Sequence, residues 1–267
     1  MDFSVLMSVY NGDKPRYLEL ALRSILQDQE LLPSEVILVI DGPVDKSLRD
    51  VIQYWLDSSS VQINVVDKSV NEGLACALND GLALCSYDLV CRMDADDISL
   101  PERFSRQISY MVDNPDVDVL GALISEFDDG GEEIAVRSVP QSHAEIIQFA
   151  KGRNPISHPV ACFRKSKVLD VGGYPLVYPE DYLLWVNMLM SGAKFHNLPI
   201  ILLRMRTGVA FIERRGKLFL KGEIASYLYM YRKGFISRFE LIKYSFGRAL
   251  VRLAPAKFKV WMYKIAR

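Results

Sequence analysis

Short apolar runs alternate with stretches of helical periodicity through the first hundred residues. Phe3–Val9 is an apolar run closed by Tyr10-Asn11-Gly12 and reads as a strand. Leu18, Ala21, Leu22, Ile25 and Leu26 follow at helical spacing, with Pro15 near the helix start. Val36–Ile40 is a second buried strand, ended by Asp41-Gly42-Pro43. Ser47–Trp55 reads as helix and Val61–Val66 as a third strand. Leu74, Ala77, Leu78 and Leu82 form the next helical stripe, and Leu89–Met93 the fourth strand. This βαβαβαβ rhythm with short connections predicts an α/β fold, a mainly parallel sheet flanked by helices on both faces.

Past Asp94-Ala95-Asp96-Asp97 the pattern announces a helix. Ser99-x-x-Glu102 has the form of a capping box, Pro101 sits in the first turn, and Phe104, Ile108, Met111 and Val112 make an apolar face. Val117–Leu120 reads as a strand, Asp128–Gly131 as a turn, Glu180–Met190 as a helix introduced by Pro179, and Ile200–Met205 as a last strand. No repeat or low-complexity linker interrupts the chain.

Charge divides the chain where hydropathy does not. Net charge is −1, yet residues 1–203 carry 16 Lys+Arg against 30 Asp+Glu, and residues 204–267 carry 16 against 3. The division predicts one folded domain over 1–205 and a basic helical extension over 206–267. Within the first, 1–100 holds the strand ends and 101–205 the later acids. Half of the 267 residues are hydrophobic, enough for one large core. The four cysteines (Cys76, Cys85, Cys91, Cys162) lack the spacing of a metal site and read as small buried hydrophobes in a reducing compartment. The N-terminal run is short and begins with an acid, unlike a signal peptide, and no stretch is apolar enough to span a bilayer. A cytoplasmic protein, soluble or peripheral on the membrane, is expected.

The chemistry gathers where the strands end. Asp94 and Asp96 stand at i and i+2 past a buried strand, and in extended backbone both would leave on one face. Ligands of open parallel sheets bind at the carboxyl ends of strands. Two carboxylates there repel unless a cation or sugar hydroxyls receive them, and Mn²⁺ or Mg²⁺ with a diphosphate is a natural occupant. A solvated acidic turn with Asp97 as helix cap is the plain alternative. Three more polar loops follow strands in the same way, Ser8-Val9-Tyr10-Asn11-Gly12, Asp41-Gly42 and Asn71-x-Gly73, so all four open on one edge.

In these segments, VLMSVYNG, VILVIDGP, NEGLACALNDG and VCRMDADDISLPERF, the sequence resembles family 2 of the glycosyltransferases over about 120 contiguous residues, and weakly to about 215. The wording resembles the branch that builds bacterial surface polysaccharides. The resemblance implies a GT-A-type fold and an inverting, metal-assisted transfer of a hexose or N-acetylhexosamine from a UDP-sugar to a polysaccharide or lipid-linked acceptor. It implies a nucleotide-sugar site over Ser8, Tyr10, Asn11, Asp41, Asn71 and Asp94, with Ser8 and Tyr10 at the base, Asp41 at uracil or ribose and Asp94 at ribose. Asp96 would hold the metal against the diphosphate. One departure matters: many members have two Asp before the Gly, and here the first is Ile40.

An inverting transfer needs a base for the acceptor hydroxyl, and an ionised carboxylate suits it. Glu180-Asp181 resembles the family's ED motif, which makes Asp181 the base and Glu180 the second candidate. Acids also favour helix N-termini for electrostatic reasons alone. His143 reads as exposed, His158 as structural or acceptor-side, and His196 as structural. A sugar nucleotidyltransferase would carry a Gly-rich loop with Arg and Lys after the first strand, where Tyr10-Asn11-Gly12-Asp13 stands. A non-catalytic nucleotide- or lipid-binding module would not need acids at 94, 96 and 181.

In the basic extension, Phe239, Ile242, Phe246, Ala249, Leu250 and Leu253 form an apolar stripe with Arg238, Arg248 and Arg252 on the other side and Lys243 flanking. Basic residues then interleave with aromatics from Lys257 to Lys264. This composition suits an anionic membrane surface, and the alternative is a helix packed on the catalytic domain. Nucleic acid is not expected, because no recognition motif accompanies the charge.

Overall fold

A computed structural model of the chain describes residues 1–207 and 217–253. Strands β1 (Ser4–Val9), β2 (Glu35–Ile40), β3 (Gln62–Asp67) and β4 (Leu89–Asp94) run parallel in the order β3-β2-β1-β4. Helices α1 (Pro15–Leu26), α2 (Lys46–Ser58) and α3 (Leu74–Leu84) connect them. Side chains alternate between two cores, as strand geometry requires. Val5, Met7 and Val9 join Leu18, Leu22 and Ile25 of α1 on one face. Leu6, Ile37 and Val39 join Leu78 and Leu82 of α3 on the other. A sheet covered on both faces explains why these strands read as continuous apolar runs.

The second half is more mixed than the pattern predicts. The chain continues through β5 (Ile98–Ser99), α4 (Arg103–Asp113), β6 (Val119–Phe127), β7 (Glu133–Arg137), α5 (His143–Ala150), a 3-10 turn (His158–Val160), β8 (Cys162–Arg164), α6 (Lys165–Asp170), α7 (Glu180–Met190) and β9 (Phe195–Arg206). β8 pairs antiparallel with both β4 and β6, and β9 runs parallel to β6. β5 and β7 add antiparallel pairs. Nine strands of the described residues thus form one mixed sheet.

Two sequence readings are corrected here. Ser99 pairs with Leu203 in the sheet, its N–H donates to Ser24 Oγ (3.1 Å), and α4 starts only at Arg103 without a side-chain cap. The true capping box is Ser142 with Glu145, at the start of α5. His143 is accordingly half-buried rather than exposed, and its Nδ1 accepts the Phe195 N–H at 3.2 Å. Cys76, Cys85, Cys91 and Cys162 are free thiols, the last three buried.

Among the described residues two helices follow the sheet, α8 (Lys217–Arg232) and α9 (Arg238–Leu253). Tyr227, Met230 and Ile236 bury themselves with Tyr182 and Val186 of α7. Tyr227 Oη donates to the Gly152 carbonyl at 2.8 Å. Gly222 passes so close to the Tyr178 carbonyl that a Cβ would collide with it. Among the described residues no helix is long and apolar enough to cross a membrane. The basic run from Lys257 to Lys264 lies outside the described residues.

Candidate active site

Parallel register brings the four strand ends level: Val9 lies beside Ile40, Ile40 beside Asp67, and Ser8 beside Asp94. Their loops therefore open on one edge. Tyr10 is exposed there and its N–H donates to Asp13 Oδ2 (2.9 Å). Asn11 Oδ1 accepts the Asp45 N–H at 2.9 Å and ties the first loop to the second.

Asp41 is placed differently from the sequence expectation. It is buried, and its two carboxylate oxygens accept the N–H groups of Glu72 and Gly73, each at 2.9 Å. Asn71 Nδ2 returns a bond to the Asp41 carbonyl at 2.9 Å. The carboxylate thus latches the Asn71–Gly73 loop instead of facing outward. Gly42, with φ of 84°, permits this closeness, since a Cβ would strike the Asn71 backbone.

β4 ends at Asp94 and the chain turns at once through Ala95 and Asp96, so the extended i, i+2 geometry does not apply. Asp94 forms an ion pair with Arg92, which lies wholly buried beneath it. Among the described residues Arg92 Nε and Nη1 find no hydrogen-bond partner. Asp96 is half-buried, and its carbonyl accepts Arg206 Nε at 3.1 Å. Asp97 is buried and Oδ1 accepts the Arg206 N–H at 2.8 Å. Burial, then the charges of Asp96 and Asp94, push the Asp97 carboxyl well above the usual range. Arg206 itself stacks on Tyr17 (3.8 Å) and Phe127 (4.5 Å), which anchors the turn to α1 and β6.

No three acidic, His or Cys side chains of the described residues converge as a metal site. Asp94 is engaged with Arg92 and Asp97 is buried, while Asp96 between them is half-buried. A single hard carboxylate fits a Mg²⁺ or Mn²⁺ that takes its other ligands from a diphosphate and water.

On the far side, Glu180 and Asp181 open α7. Asp181 Oδ2 accepts Asn154 Nδ2 at 2.6 Å, and Oδ1 accepts the Tyr182 N–H at 2.8 Å. Glu180 is only 9% exposed, and burial followed by the Asp181 charge pushes its carboxyl up to about 7. His158 bonds Tyr174 Oη at 3.1 Å, and burial followed by the charge of Arg92 keeps its ring neutral. His196 stacks on Tyr110, in keeping with a structural role.

A cavity of about 440 Å³ joins the two sides. Asp94, His158, Glu180 and Asp181 line it, together with Arg153, Asn154, Tyr178, Phe219, Arg248 and Arg252. Ser8, Tyr10, Asn11, Asp41, Asn71 and Asp96 are not in its lining. Sequence reasoning missed Arg153, Asn154, Tyr178 and Phe219, which lie in a loop, a lead-in and a helix without a motif of their own. The contribution of α8 and α9 was missed as well, because charge alone set them apart.

Glu180 holds its proton more tightly folded than unfolded, where the ordinary value is 4.5. Between about 4.5 and about 7 the folded state therefore carries the extra proton, and stability falls as pH rises through that window. Gln mimics the protonated form. Glu180→Gln is expected to gain on wild type by about 3 kcal/mol from pH 4.5 to 7.5, read by urea melts at each pH. A pH-independent difference between the two proteins would rule out the raised value.

Residues 4–172 match the model of glycosyl transferase family 2. The amylovoran biosynthesis glycosyltransferase AmsE of Erwinia amylovora is 42% identical over 267 residues, 98% of each chain. An Escherichia coli UDP-Gal:alpha-D-GlcNAc-diphosphoundecaprenol beta-1,3-galactosyltransferase is 37% identical, covering 98% of this chain and 95% of that one. The crystal structure of Staphylococcus aureus TarS 1–349 with UDP-GlcNAc superposes with a TM-score of 0.66 at 18% identity, over 97% of this chain and 78% of that chain. The sheet with its loop edge is thus the GT-A fold, and the chain belongs to family 2 of the glycosyltransferases.

Proposed function

We propose that the protein is an inverting, metal-assisted enzyme that moves a hexose or N-acetylhexosamine from a UDP-sugar to a lipid-linked oligosaccharide or growing surface polysaccharide. The observation that carries this reading is the cavity joining Asp94, at the end of β4, to Asp181, at the start of α7. Residues 1–100 form the nucleotide-sugar half and 101–205 the acceptor half. Residues 206–267 meet the anionic inner face of the cell membrane, with no role for nucleic acid.

In the donor half Ser8 and Tyr10 receive the base, while Asn11 and Asn71 fix the loops around it. Asp41 acts through the loop that it latches. Asp94, with one oxygen on Arg92, offers the other to a ribose hydroxyl. Asp96 would hold a Mn²⁺ or Mg²⁺, which would supply positive charge at the diphosphate leaving group. Asp181 takes the proton of the acceptor hydroxyl as its oxygen bonds to the anomeric carbon. The bond to UDP breaks on the opposite face, so configuration inverts. Asn154, donating to Asp181, aims the carboxylate.

The names of two relatives support this reading. One is named for UDP-Gal and a diphosphoundecaprenol-linked GlcNAc, the other for amylovoran biosynthesis. The test offers labelled UDP-sugars with Mn²⁺ and a GlcNAc-diphosphate-lipid. One UDP should be released per sugar transferred, with the anomeric configuration of the product opposite to that of the donor. Retention of configuration would exclude Asp181 as a simple base, and turnover of no UDP-sugar would sink the donor assignment.

A further inference from the structure

Helix α9 is turned the wrong way round for a helix packed on a soluble domain. Two of its three arginines, Arg248 and Arg252, face inward. Arg252 binds both oxygens of Glu223 on α8, at 3.0 and 3.1 Å, with its side chain 4% exposed. Arg248 lies 3.3 Å from the same Glu223 and donates to Tyr227 Oη (3.2 Å) and the Gly152 carbonyl (3.1 Å). The apolar stripe faces outward. Phe239, Ile242, Phe246 and Leu250 are 75%, 60%, 65% and 57% exposed. Their spacing of i, i+3, i+7 and i+11 places them on one side of the helix. Helices ordinarily bury such a stripe and leave the charges in water.

The rim of the stripe identifies what covers it. Arg232, Lys233, Arg238 and Lys243 are exposed around the turn between the helices and along α9. The acids of these helices are engaged elsewhere: Glu223 with the two arginines, and Glu240 with Lys151 at 3.1 Å. Four large apolar side chains within a cationic border match the acyl boundary and headgroups of an anionic bilayer. A protein partner would need a complementary acidic rim.

We infer that α9 lies flat in the surface of an anionic membrane, with Phe239, Ile242, Phe246 and Leu250 below the headgroups. The inner face of the same helix supplies Arg248, Val251 and Arg252 to the cavity of Asp181. One helix therefore touches lipid on one side and walls the acceptor site on the other. An acceptor tethered to that bilayer through a diphosphate reaches the base along α9, a step that rests on the lipid-linked acceptor proposed above.

The test uses the full chain, vesicles of phosphatidylcholine with and without phosphatidylglycerol, and the Ile242→Asn/Phe246→Asn double variant. Both positions are exposed and outside the cavity lining, so the thermal midpoint should match wild type, and turnover with a short-chain, water-soluble GlcNAc-diphosphate acceptor should stay within about twofold of it. Sedimentation with anionic vesicles should fall at least about tenfold, and wild type should release at high salt. Transfer to a long-chain acceptor in those vesicles should fall with it. Unchanged vesicle binding by the double variant would overturn the inference, and so would a wild-type dimer that the variant dissolves. If vesicle binding depends on the stripe but no lipid-linked acceptor is used, the acceptor reading fails and membrane docking stands.

Discussion

Asp181→Asn should lower turnover by roughly 10²–10⁴-fold while UDP-sugar affinity stays near wild type. The carboxylate lines the cavity from the start of α7 and the proposed donor contacts come from the strand ends, so its loss should leave donor affinity alone. The substitution has a small structural cost. Asp181 accepts from both Asn154 and the Tyr182 N–H, and an amide brings only one oxygen to two donors. One donor loses its partner, at about 1 kcal/mol. That is too little to unfold the protein. Glu180→Gln is the comparison that decides the assignment. Glu180 has a carboxyl near 7 and faces the same cavity, which also suits a general base. UDP release measured for both variants separates them. Normal turnover by Asp181→Asn, with Glu180→Gln dead, would move the base by one residue.

The first half of the fold was legible because its physics is local. β1 and β2 are buried on both faces, so each is a largely apolar run, and the turns after them carry Asn-Gly and Gly-Pro signals. The second half depends on pairings that leave weaker marks. β7 is half solvent-facing, β8 has three residues, and β9 is interrupted by Pro199 and register shifts against β6. Ser99-x-x-Glu102 has the letters of a capping box, yet Ser99 gains a sheet pairing with β9 that a cap would forgo. Sheet pairing outweighed the local signal.

The site shows the same division. Its acids stand in motifs, whereas the groups that orient them come from afar. Arg92 is only two residues from Asp94, but the groups its charge acts on, His158, Tyr174 and Glu180, come from far along the chain. Asn154 reaches Asp181 across 27 residues of chain. The stripe of α9 was legible as amphipathic, but which side faces the protein was not. That orientation is decided by Glu223, a single buried acid on the neighbouring helix that draws two arginines inward.

Asp96→Asn should weaken UDP-sugar binding in Mn²⁺ by roughly a hundredfold, the scale of several kcal/mol that a bound divalent ion contributes at a diphosphate. Two bonds that hold the turn leave the Asp96 side chain out. Arg206 fixes the Asp96 carbonyl and the Asp97 carboxyl, and neither bond uses the Asp96 side chain. Asn removes the charge proposed to hold the ion and keeps the side-chain volume and both of these bonds, so the fold should survive. Asp94→Asn would be a poorer probe, since it strips the wholly buried Arg92 of its counter-charge and confuses binding with stability. Calorimetric titration of UDP into wild type and variant, in Mn²⁺ and in EDTA, gives four affinities. Wild type in EDTA should fall to the level of Asp96→Asn, and the variant should be indifferent to the metal. If wild type binds UDP equally well in EDTA and in Mn²⁺, Asp96 holds no ion and the diphosphate is received by the chain itself.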